Sequence, residues 1–317
     1  MDFVIFILAI GALIVGADFI VNQSERIALH FNISEFVIGA TVIALGTSLP
    51  EVAASVAASF NNKPEMALAN AIGSNIFNIT LVLALIFIIT KNIKPNRDFF
   101  AKDTTWALVP IMLFIIMSID GHIGRFDAIL LLLLMSAYVL FLLNDAPVLE
   151  NEAIEEIKQE KYFNWLKTIP LLTVGLILVV GGAHFTVESA SGIATDFGIS
   201  DRVIAIVLIS FGTSLPELVV SISASIKGKV DMAIGNIIGS NLANITLVIG
   251  LSALVSPNPI AIDLTIKTTI FDIATMTVAT IMLIYITANK LYSKPAGISL
   301  LILLAIFLEG TYQSIQP

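Results

Sequence analysis

The chain has 317 residues, of which 57% are hydrophobic and only 13% are charged, and its mean hydropathy is +0.97. Soluble domains carry about 25% charged residues, so this composition excludes an ordinary soluble enzyme. The net charge of −8 excludes a nucleic-acid partner, because the chain has no basic stripe to neutralise phosphates. The absence of cysteine from the sequence excludes disulfides, thiolate metal sites and cysteine nucleophiles. Long apolar segments instead indicate a polytopic membrane protein.

Ten segments are apolar and long enough to cross a bilayer as helices, for which about 20 residues are needed. The first segment lacks the basic residues of a signal peptide and is too long for its apolar region, so it is interpreted as a span. An even number of spans places both termini on one side of the membrane. The predicted spans are 3–22, 36–60, 65–90, 103–119, 126–143, 168–187, 202–226, 231–255, 265–288 and 296–314.

The distribution of positive charge predicts the orientation in the cell membrane. Twelve of the sixteen Lys and Arg residues lie in the loops on the side opposite the termini. Positive charge is retained on the cytoplasmic side, so both termini are predicted to lie outside and the linker 144–167 in the cytoplasm. This acidic linker has no spaced acidic loop that could wrap Ca²⁺, so a solvated connector is favoured over a cation-sensing segment.

The second half of the chain repeats the first. The segment from Ile33 to Val82 aligns without a gap with the segment 166 residues later, and 27 of its 50 positions are identical. Both copies contain the motifs GTSLPE and IGSN in the same register. Each half, 1–143 and 168–317, has five predicted spans, so the second copy must enter the membrane with opposite polarity. The predicted fold is an all-α membrane protein of ten transmembrane helices in two inverted-topology five-helix repeats, a build typical of secondary transporters.

Each GTSLPE motif places an acid in the middle of an apolar span. Proline has no N–H, so Pro50 and Pro216 are expected to kink their helices and to free one carbonyl group each. An acid inside the membrane costs at least roughly 2.5 kcal/mol and needs a compensating partner. The repeat cores offer no Lys or Arg at that depth. Glu51 and Glu217 therefore indicate bound cations or protons.

Helical spacing groups further oxygen-bearing residues with the two glutamates, because residues three or four apart share a helix face. Carboxylate, hydroxyl, amide and carbonyl oxygens form the hard ligand set that Ca²⁺ prefers. The grouped residues are Ala44, Thr47, Ser48, Glu51 and Ser55 with their counterparts Ser210, Thr213, Ser214, Glu217 and Ser221, and Asn70, Ser74 and Asn78 with Asn236, Ser240 and Asn244. Packing or bonding to the helix backbone stays an open alternative for Ser55, Ser221, Asn70 and Asn236.

The paired motifs GTSLPE and (A/G)N-x-IGSN-x-x-N resemble the α-repeats of the sodium/calcium exchanger family, within the cation/calcium exchanger superfamily. The resemblance covers essentially the whole chain, and the short linker is similar to that of compact prokaryotic members. It implies that Glu51 and Glu217 are shared ligands of Na⁺ and Ca²⁺. It also implies side-chain oxygen ligands from Thr47, Ser48, Ser74, Asn78, Thr213, Ser214, Ser240 and Asn244, and backbone carbonyl ligands from Ala44 and Ser210.

The resemblance further implies electrogenic antiport of three Na⁺ for one Ca²⁺, with helices 1 and 6 sliding over a rigid core of the other eight. In the K⁺-dependent branch of the superfamily an acid at the position of Asn244 is associated with K⁺ co-transport, so the asparagine implies K⁺ independence. Two carboxylates give a charge of −2, which one Ca²⁺ neutralises and three Na⁺ exceed by one. The expected partners are Na⁺, Ca²⁺ and the bilayer, with no cofactor, no nucleic acid and no obligate protein partner.

The same residues are compatible with other functions. A proton/Ca²⁺ antiporter on this scaffold is the main alternative, although proton-coupled relatives typically carry G-N-x-x-E in place of GTSLPE. A membrane metallohydrolase that uses both glutamates would need a tightly held metal and an activated water. The sequence contains no G-x-S-x-G, H-E-x-x-H or phosphate-binding loop motif, so an enzyme is not indicated. Neither an enzyme nor a passive channel requires the inverted repeat, whereas alternating access does.

Overall fold

The computed structural model describes residues 2–90, 93–144, 163–197, 212–264 and 266–315. These residues are almost entirely helical, and three π-helical segments interrupt the α-helices at Gly39–Ile43, Asn78–Leu83 and Asn244–Val248. The helices are α1 Asp2–Phe31, α2 Glu35–Ile38, α3 Ala44–Thr47, α4 Leu49–Phe60, α5 Pro64–Phe77, α6 Ala84–Ile89, α7 Phe99–Met117, α8 Arg125–Asn144, α9 Trp165–Asp196, α10 Leu215–Ile226, α11 Val230–Ala243, α12 Ile249–Val255, α13 Lys267–Ala288 and α14 Lys294–Ile315. Two short strands, β1 His122–Ile123 and β2 Ile260–Ala261, pair in antiparallel fashion.

Eight helices among the described residues are long and apolar enough to cross a membrane, and the bent pair Glu35–Thr47 and Leu49–Phe60 makes a ninth candidate. The predicted span 202–226 is described only from Gly212 onward, because residues 198–211 lie outside the described part of the chain. The protein is therefore an all-helical, multi-pass membrane protein. The count of ten inverted helices stays a prediction.

The helices α1 and α9 are longer than the spans predicted for them. They contain 30 and 32 residues, whereas the predicted spans were 3–22 and 168–187. At 1.5 Å per residue, 30 residues reach about 45 Å, well beyond a hydrocarbon core of about 30 Å. Hydropathy locates only the apolar part of such a helix. The polar end of α1 continues as helix because Gln23, Ser24 and Glu25 are buried there against the protein.

The chain folds into two compact units, each of which contains segments of both predicted repeats. Unit 1 comprises Met1–Thr47 and Phe141–Gly239, and unit 2 comprises Ser48–Leu140 and Ser240–Pro317. The units are therefore not the same divisions as the predicted repeats 1–143 and 168–317. Most of the predicted linker 144–167 lies outside the described residues, so the repeat boundaries stay predictions.

In unit 1, α1 and α9 pack against each other along their lengths. A Cβ atom added to Gly16 would lie 2.8 Å from the carbonyl oxygen of Gly175, and one added to Gly182 would lie 3.0 Å from the carbonyl oxygen of Ala9. Real Cβ atoms essentially never approach other atoms more closely than 3.0 Å. Small residues permit such close approach of membrane helices. The two helices are thus joined by direct backbone contact.

A second glycine contact in unit 1 joins α11 to the segment that leads into the first GTSLPE motif. A Cβ atom on Gly235 would lie 2.5 Å from the carbonyl oxygen of Phe36. A Cβ atom on Gly239 would lie 2.5 Å from the carbonyl oxygen of Ala40. The two backbones are therefore in contact where any larger residue would separate them.

Two lysines of unit 1 pair with acids of α1 and α2. The Nζ atom of Lys229 lies 2.5 Å from Glu25 Oε1 and 2.7 Å from Glu35 Oε1, and Lys227 pairs with Asp18. Burial by itself lowers the pKa of Lys229, but the hydrogen bonds and attraction of the two glutamates outweigh it and raise the pKa above its ordinary 10.5. Lys229 is therefore charged at neutral pH, and its ion pairs hold the polar end of α1.

Unit 2 is assembled around α5, α13 and α14. Phe271 stacks on Phe307 with ring centroids 6.3 Å apart, which joins α13 to α14. The aromatic ring of Phe77 on α5 meets Phe307 edge-on at 6.2 Å. At the start of α7, Arg97 forms a buried, two-point ion pair with Asp103, with N–O distances of 2.6 and 2.9 Å. The aromatic contacts join α5, which carries Asn70 and Asn75, to α14 and through it to α13.

Candidate cation-binding site

Each copy of the GTSLPE motif contains a serine outside the helical conformation, and the first copy interrupts a helix. Ser48 has φ −84° and ψ 5°, and Ser214 has φ −88° and ψ 3°, so neither serine has α-helical dihedral angles. New helices begin directly afterwards, with Pro50 and Pro216 as their second residues, a position where the missing N–H of proline costs nothing. At the first copy the two flanking helices are bent by 44°. The predicted kink is confirmed at Pro50, where it takes the form of a break before the proline. The residues that precede the second motif lie outside the described part of the chain, so the kink at Pro216 stays a prediction.

The break places each glutamate in the first turn of a new helix. Glu51 is the third residue of α4 and Glu217 is the third residue of α10. Each is 1% exposed. The first N–H groups of a helix have no partner within it and carry partial positive charge, which stabilises a nearby carboxylate by about 0.3–1 kcal/mol at exposed positions and more at buried ones. The local fold thus favours ionised glutamates at buried positions.

In unit 1, hydrogen bonds connect residues near the second motif to the start of the first. Asn236 Nδ2 donates to Ser221 Oγ at 2.9 Å. Thr47 Oγ1 lies 3.3 Å from Asn236 Oδ1 and 3.3 Å from the carbonyl oxygen of Ala44. The hydroxyl of Ser214 is buried and has no hydrogen-bond partner in the described part of the chain. Its oxygen is therefore available to a ligand.

Unit 2 repeats the amide–serine bond of unit 1. Asn70 Nδ2 donates to Ser55 Oγ at 2.9 Å, as Asn236 Nδ2 does to Ser221 Oγ at the same distance. These bonds join α5 to α4 and α11 to α10. They favour the packing interpretation for the four residues whose role was left open in the sequence.

Four asparagines of unit 2 form a reciprocal pair of hydrogen bonds. Asn78 Nδ2 donates to Asn241 Oδ1 at 3.0 Å, and Asn244 Nδ2 donates to Asn75 Oδ1 at 3.0 Å. The Oδ1 atoms of Asn78 and Asn244 are buried without a hydrogen-bond partner in the described residues. Asn78 and Asn244 were predicted as site residues, whereas Asn75 and Asn241 were missed. Their signal was their identity in both copies of the IGSN motif.

Eleven of the twelve predicted site residues are described, and ten of these are buried. Thr213 is partly exposed, and Ser210 lies outside the described residues. In the described ranges no three residues among His, Cys, Asp and Glu lie close enough to hold a metal ion. Unit 1 holds Ala44, Thr47, Thr213, Ser214 and Glu217, and unit 2 holds Ser48, Glu51, Ser74, Asn78, Ser240 and Asn244.

Comparisons with known proteins identify the family of the chain. The sequence profile described as "Sodium/calcium exchanger protein" matches residues 1–144 and 167–312. The chain belongs to the sodium/calcium exchanger family. The sodium/calcium exchanger MaX1 of Methanosarcina acetivorans is 32% identical over 97% of both chains. An uncharacterized membrane protein of Methanocaldococcus jannaschii is 41% identical over 240 residues, which are 76% of this chain and 77% of the other.

A solved structure agrees with the family assignment. The sodium-calcium exchanger NCX_Mj, soaked with zero Na⁺ and Ca²⁺, superposes with a TM-score of 0.83 and 34% sequence identity over 98% of both chains. The match to the exchanger family thus confirms the resemblance that the two motif pairs indicated. It also places this chain among membrane transporters of Na⁺ and Ca²⁺.

Proposed function

We propose that this protein is an electrogenic antiporter that exchanges three Na⁺ for one Ca²⁺ independently of K⁺. The observation that carries the proposal is the repeated environment of Glu51 and Glu217. Both are 1% exposed, and both lie in the first turn of a helix that begins at a broken GTSLPE motif. An ionised carboxylate in such a place needs compensation, and the cations of the exchanger family, Na⁺ and Ca²⁺, are the proposed ligands.

In this proposal the two glutamates bind Ca²⁺ and Na⁺ in turn, and neutral oxygens complete the coordination. Ca²⁺ takes six to eight oxygen ligands and accepts carboxylate, amide, hydroxyl and carbonyl oxygens alike. The buried oxygens of Ser214, Asn78 and Asn244, which have no hydrogen-bond partner among the described residues, support this role. The neutral ligands are the side chains of Thr47, Thr213, Ser48, Ser214, Ser74, Ser240, Asn78 and Asn244, and the backbone carbonyls of Ala44 and Ser210.

The charge of this ligand set fits the proposed electrogenic stoichiometry. Two ionised glutamates contribute −2, so one Ca²⁺ gives a neutral site and three Na⁺ give a site of charge +1. One net charge then crosses the membrane in each cycle. The reversal potential of exchange at fixed ion gradients measures this ratio, and a voltage-independent exchange would contradict it.

The amide at Asn244 carries the proposal of K⁺ independence. An additional carboxylate at this position would add one negative charge, which would allow another cation to bind. We expect uptake by the natural protein to be the same in K⁺ and in choline media. Asn244→Asp should still bind Ca²⁺ but should change the Na⁺ dependence. An unchanged Na⁺ dependence would show that Asn244 is not a ligand.

Transport by alternating access would use α1 and α9 as the moving helices. Their backbone contact through Gly16, Gly175 and Gly182 supports a movement of the two helices as one body. A disulfide engineered between α1 and α9 should therefore leave exchange intact, whereas one between α1 and α11 should stop it until it is reduced. The natural sequence has no cysteine that would interfere.

The experiment that tests the function is Ca²⁺ uptake into proteoliposomes. Vesicles loaded with Na⁺ are compared with vesicles loaded with K⁺ and with vesicles that carry a pH gradient. Uptake that requires internal Na⁺ supports the proposal. Uptake that follows the pH gradient and ignores Na⁺ would replace it with proton/Ca²⁺ antiport on the same scaffold.

The orientation is tested separately, because the cysteine-free chain allows single cysteines to be introduced. A cysteine in the linker 144–167 should react with a membrane-impermeant maleimide only after the cells are lysed. A cysteine at the N-terminus should react in intact cells. The opposite pattern would reverse the proposed orientation, in which both termini lie outside.

A further inference from the structure

The reciprocal asparagine bonds of unit 2 have a consequence for cation binding. An asparagine amide has two unlike ends, because its carbonyl oxygen can ligate a cation and its NH₂ group only donates hydrogen bonds. A rotation of the amide by a half turn exchanges these ends at almost no steric cost. An asparagine ligand is therefore effective only when something holds its NH₂ group away from the cation.

The structure shows what holds the NH₂ groups of Asn78 and Asn244. Asn241 Oδ1 accepts from Asn78 Nδ2, and Asn75 Oδ1 accepts from Asn244 Nδ2, each at 3.0 Å. In both ligands the NH₂ end is bound, and the carbonyl oxygen is the end left buried without a hydrogen-bond partner among the described residues.

The orientation of the two accepting amides is fixed in turn. Asn241 Nδ2 donates to the backbone carbonyl oxygen of Asn75 at 3.4 Å. Asn75 Nδ2 lies 3.7 Å from the sulfur of Met276 on α13. Each accepting amide thus uses its NH₂ group elsewhere, which leaves its oxygen directed at the ligand asparagine. A largely buried set of hydrogen-bonded amides of this kind restricts the rotation of its members.

We infer that Asn75 and Asn241 are positioning residues, which hold the amides of Asn244 and Asn78 with their carbonyl oxygens toward the transported cation. The inference rests on the proposed function, because it takes Asn78 and Asn244 as cation ligands. It assigns no ligand role to Asn75 or Asn241. The same arrangement in both copies of the motif means that each repeat orients the ligand of the other.

The test removes the accepting oxygen with Asn75→Leu, a side chain of similar shape. The amide of Asn244 can then turn its NH₂ group toward the cation position, and cation binding has to reverse this turn. We expect the Ca²⁺ concentration at half-saturation to rise about fivefold to tenfold, the equivalent of one buried neutral hydrogen bond. It is measured by calorimetric Ca²⁺ titration of the full-length protein without Na⁺.

The control repeats the substitution in the background Asn244→Asp. A carboxylate has two equivalent oxygens, so either orientation presents an oxygen to the cation. Asn75→Leu should therefore change the Ca²⁺ affinity less than twofold in the Asn244→Asp background. A role in packing alone would cause the same loss in both backgrounds and would overturn the inference, as would an unchanged affinity in the natural background.

A conservative variant keeps the test decisive if Asn75→Leu does not fold. Asn75→Asp retains an accepting oxygen, so Asn244 should stay oriented and Ca²⁺ binding should be kept or strengthened. A loss of Ca²⁺ binding in this variant would contradict the inference. Failure of the proposed function is a separate result, since it would appear as absent Na⁺-dependent uptake by the natural protein while the calorimetric comparison still reports on the amides.

Discussion

Replacing Gly239 with alanine tests the close contact between α11 and the segment before the first GTSLPE motif. The added methyl group would lie 2.5 Å from the carbonyl oxygen of Ala40, 2.7 Å from Ala40 Cα and 2.8 Å from Ala44 Cβ. Carbon atoms pack best at about 3.5–4.0 Å, so the two backbones must separate by about 1 Å. None of these three atoms lies at the end of a flexible side chain, so the contact cannot be relieved by a change of rotamer.

The expected magnitude is the difference of two effects. Overpacking of a close contact costs typically 1–3 kcal/mol, and the rigid partners of Gly239 put it at the upper end, about 3 kcal/mol. Alanine is favoured over glycine in a helix interior by about 1 kcal/mol. We therefore expect Gly239→Ala to lower the free energy of unfolding by about 2 kcal/mol. For a chain of this size that corresponds to a decrease in Tm of about 3–6 °C.

The assay is thermal unfolding in detergent, followed by the fluorescence of the two tryptophans. The control is Gly181→Ala on α9, since a Cβ atom there meets no atom within 4 Å in the described residues. This variant should be neutral or stabilised by up to about 1 kcal/mol. Equal effects of the two substitutions would refute the role of the contact.

The remaining predictions concern charge. Glu51→Gln and Glu217→Gln should each abolish Ca²⁺ uptake, because one carboxylate cannot neutralise a dehydrated divalent ion; Glu65→Gln, at an exposed position, should transport normally. An inside-positive potential of about 60 mV should raise the ratio of internal to external Ca²⁺ at equilibrium about tenfold, since one charge across 100 mV is equivalent to about 2.3 kcal/mol. An unchanged ratio would indicate electroneutral exchange. The pKa of Lys229 is raised, so its ion pairs are complete below its ordinary pKa of 10.5 and are lost only as the pH rises through the higher folded-state value. Lys229→Gln should therefore lower Tm equally between about pH 7 and about pH 9, and a deficit that disappears toward pH 9 would contradict the assignment.

The features predicted correctly from the sequence are those that depend on single residues with strong local effects. Proline without its N–H predicts a helix break at Pro50, and the structure has it. At Pro216 the structure shows a helix that begins one residue before the proline. The cost of an acid in an apolar segment predicts a functional role for Glu51 and Glu217. Both are buried in the first turn of a helix. Each of these inferences needs only one residue and its immediate neighbours.

The features that were not predicted depend on residues far apart in the chain. The bonds between Asn75 and Asn244 and between Asn78 and Asn241 join positions more than 160 residues apart, and no local pattern indicates which amides pair. Hydropathy also underestimates the length of α1, because the polar end of this helix is buried and paired with distant residues such as Lys229. Identity between the two repeats was the one available signal for the missed asparagines.

The ion pairs of α1 make the two halves of the protein chemically unequal. In a perfect inverted repeat, the inward-open and outward-open states would be related by symmetry and would have the same energy. The chain departs from this symmetry, because Asp18, Glu25, Lys227 and Lys229 correspond in the repeat to His184, Ser191, Asn61 and Lys63. Under the proposed sliding mechanism, one state is therefore favoured by charge pairs that the other state does not reproduce. Since salt screens solvent-exposed charges such as those of Lys227 and Asp18, ionic strength would shift the balance between the two states without any change at the cation ligands.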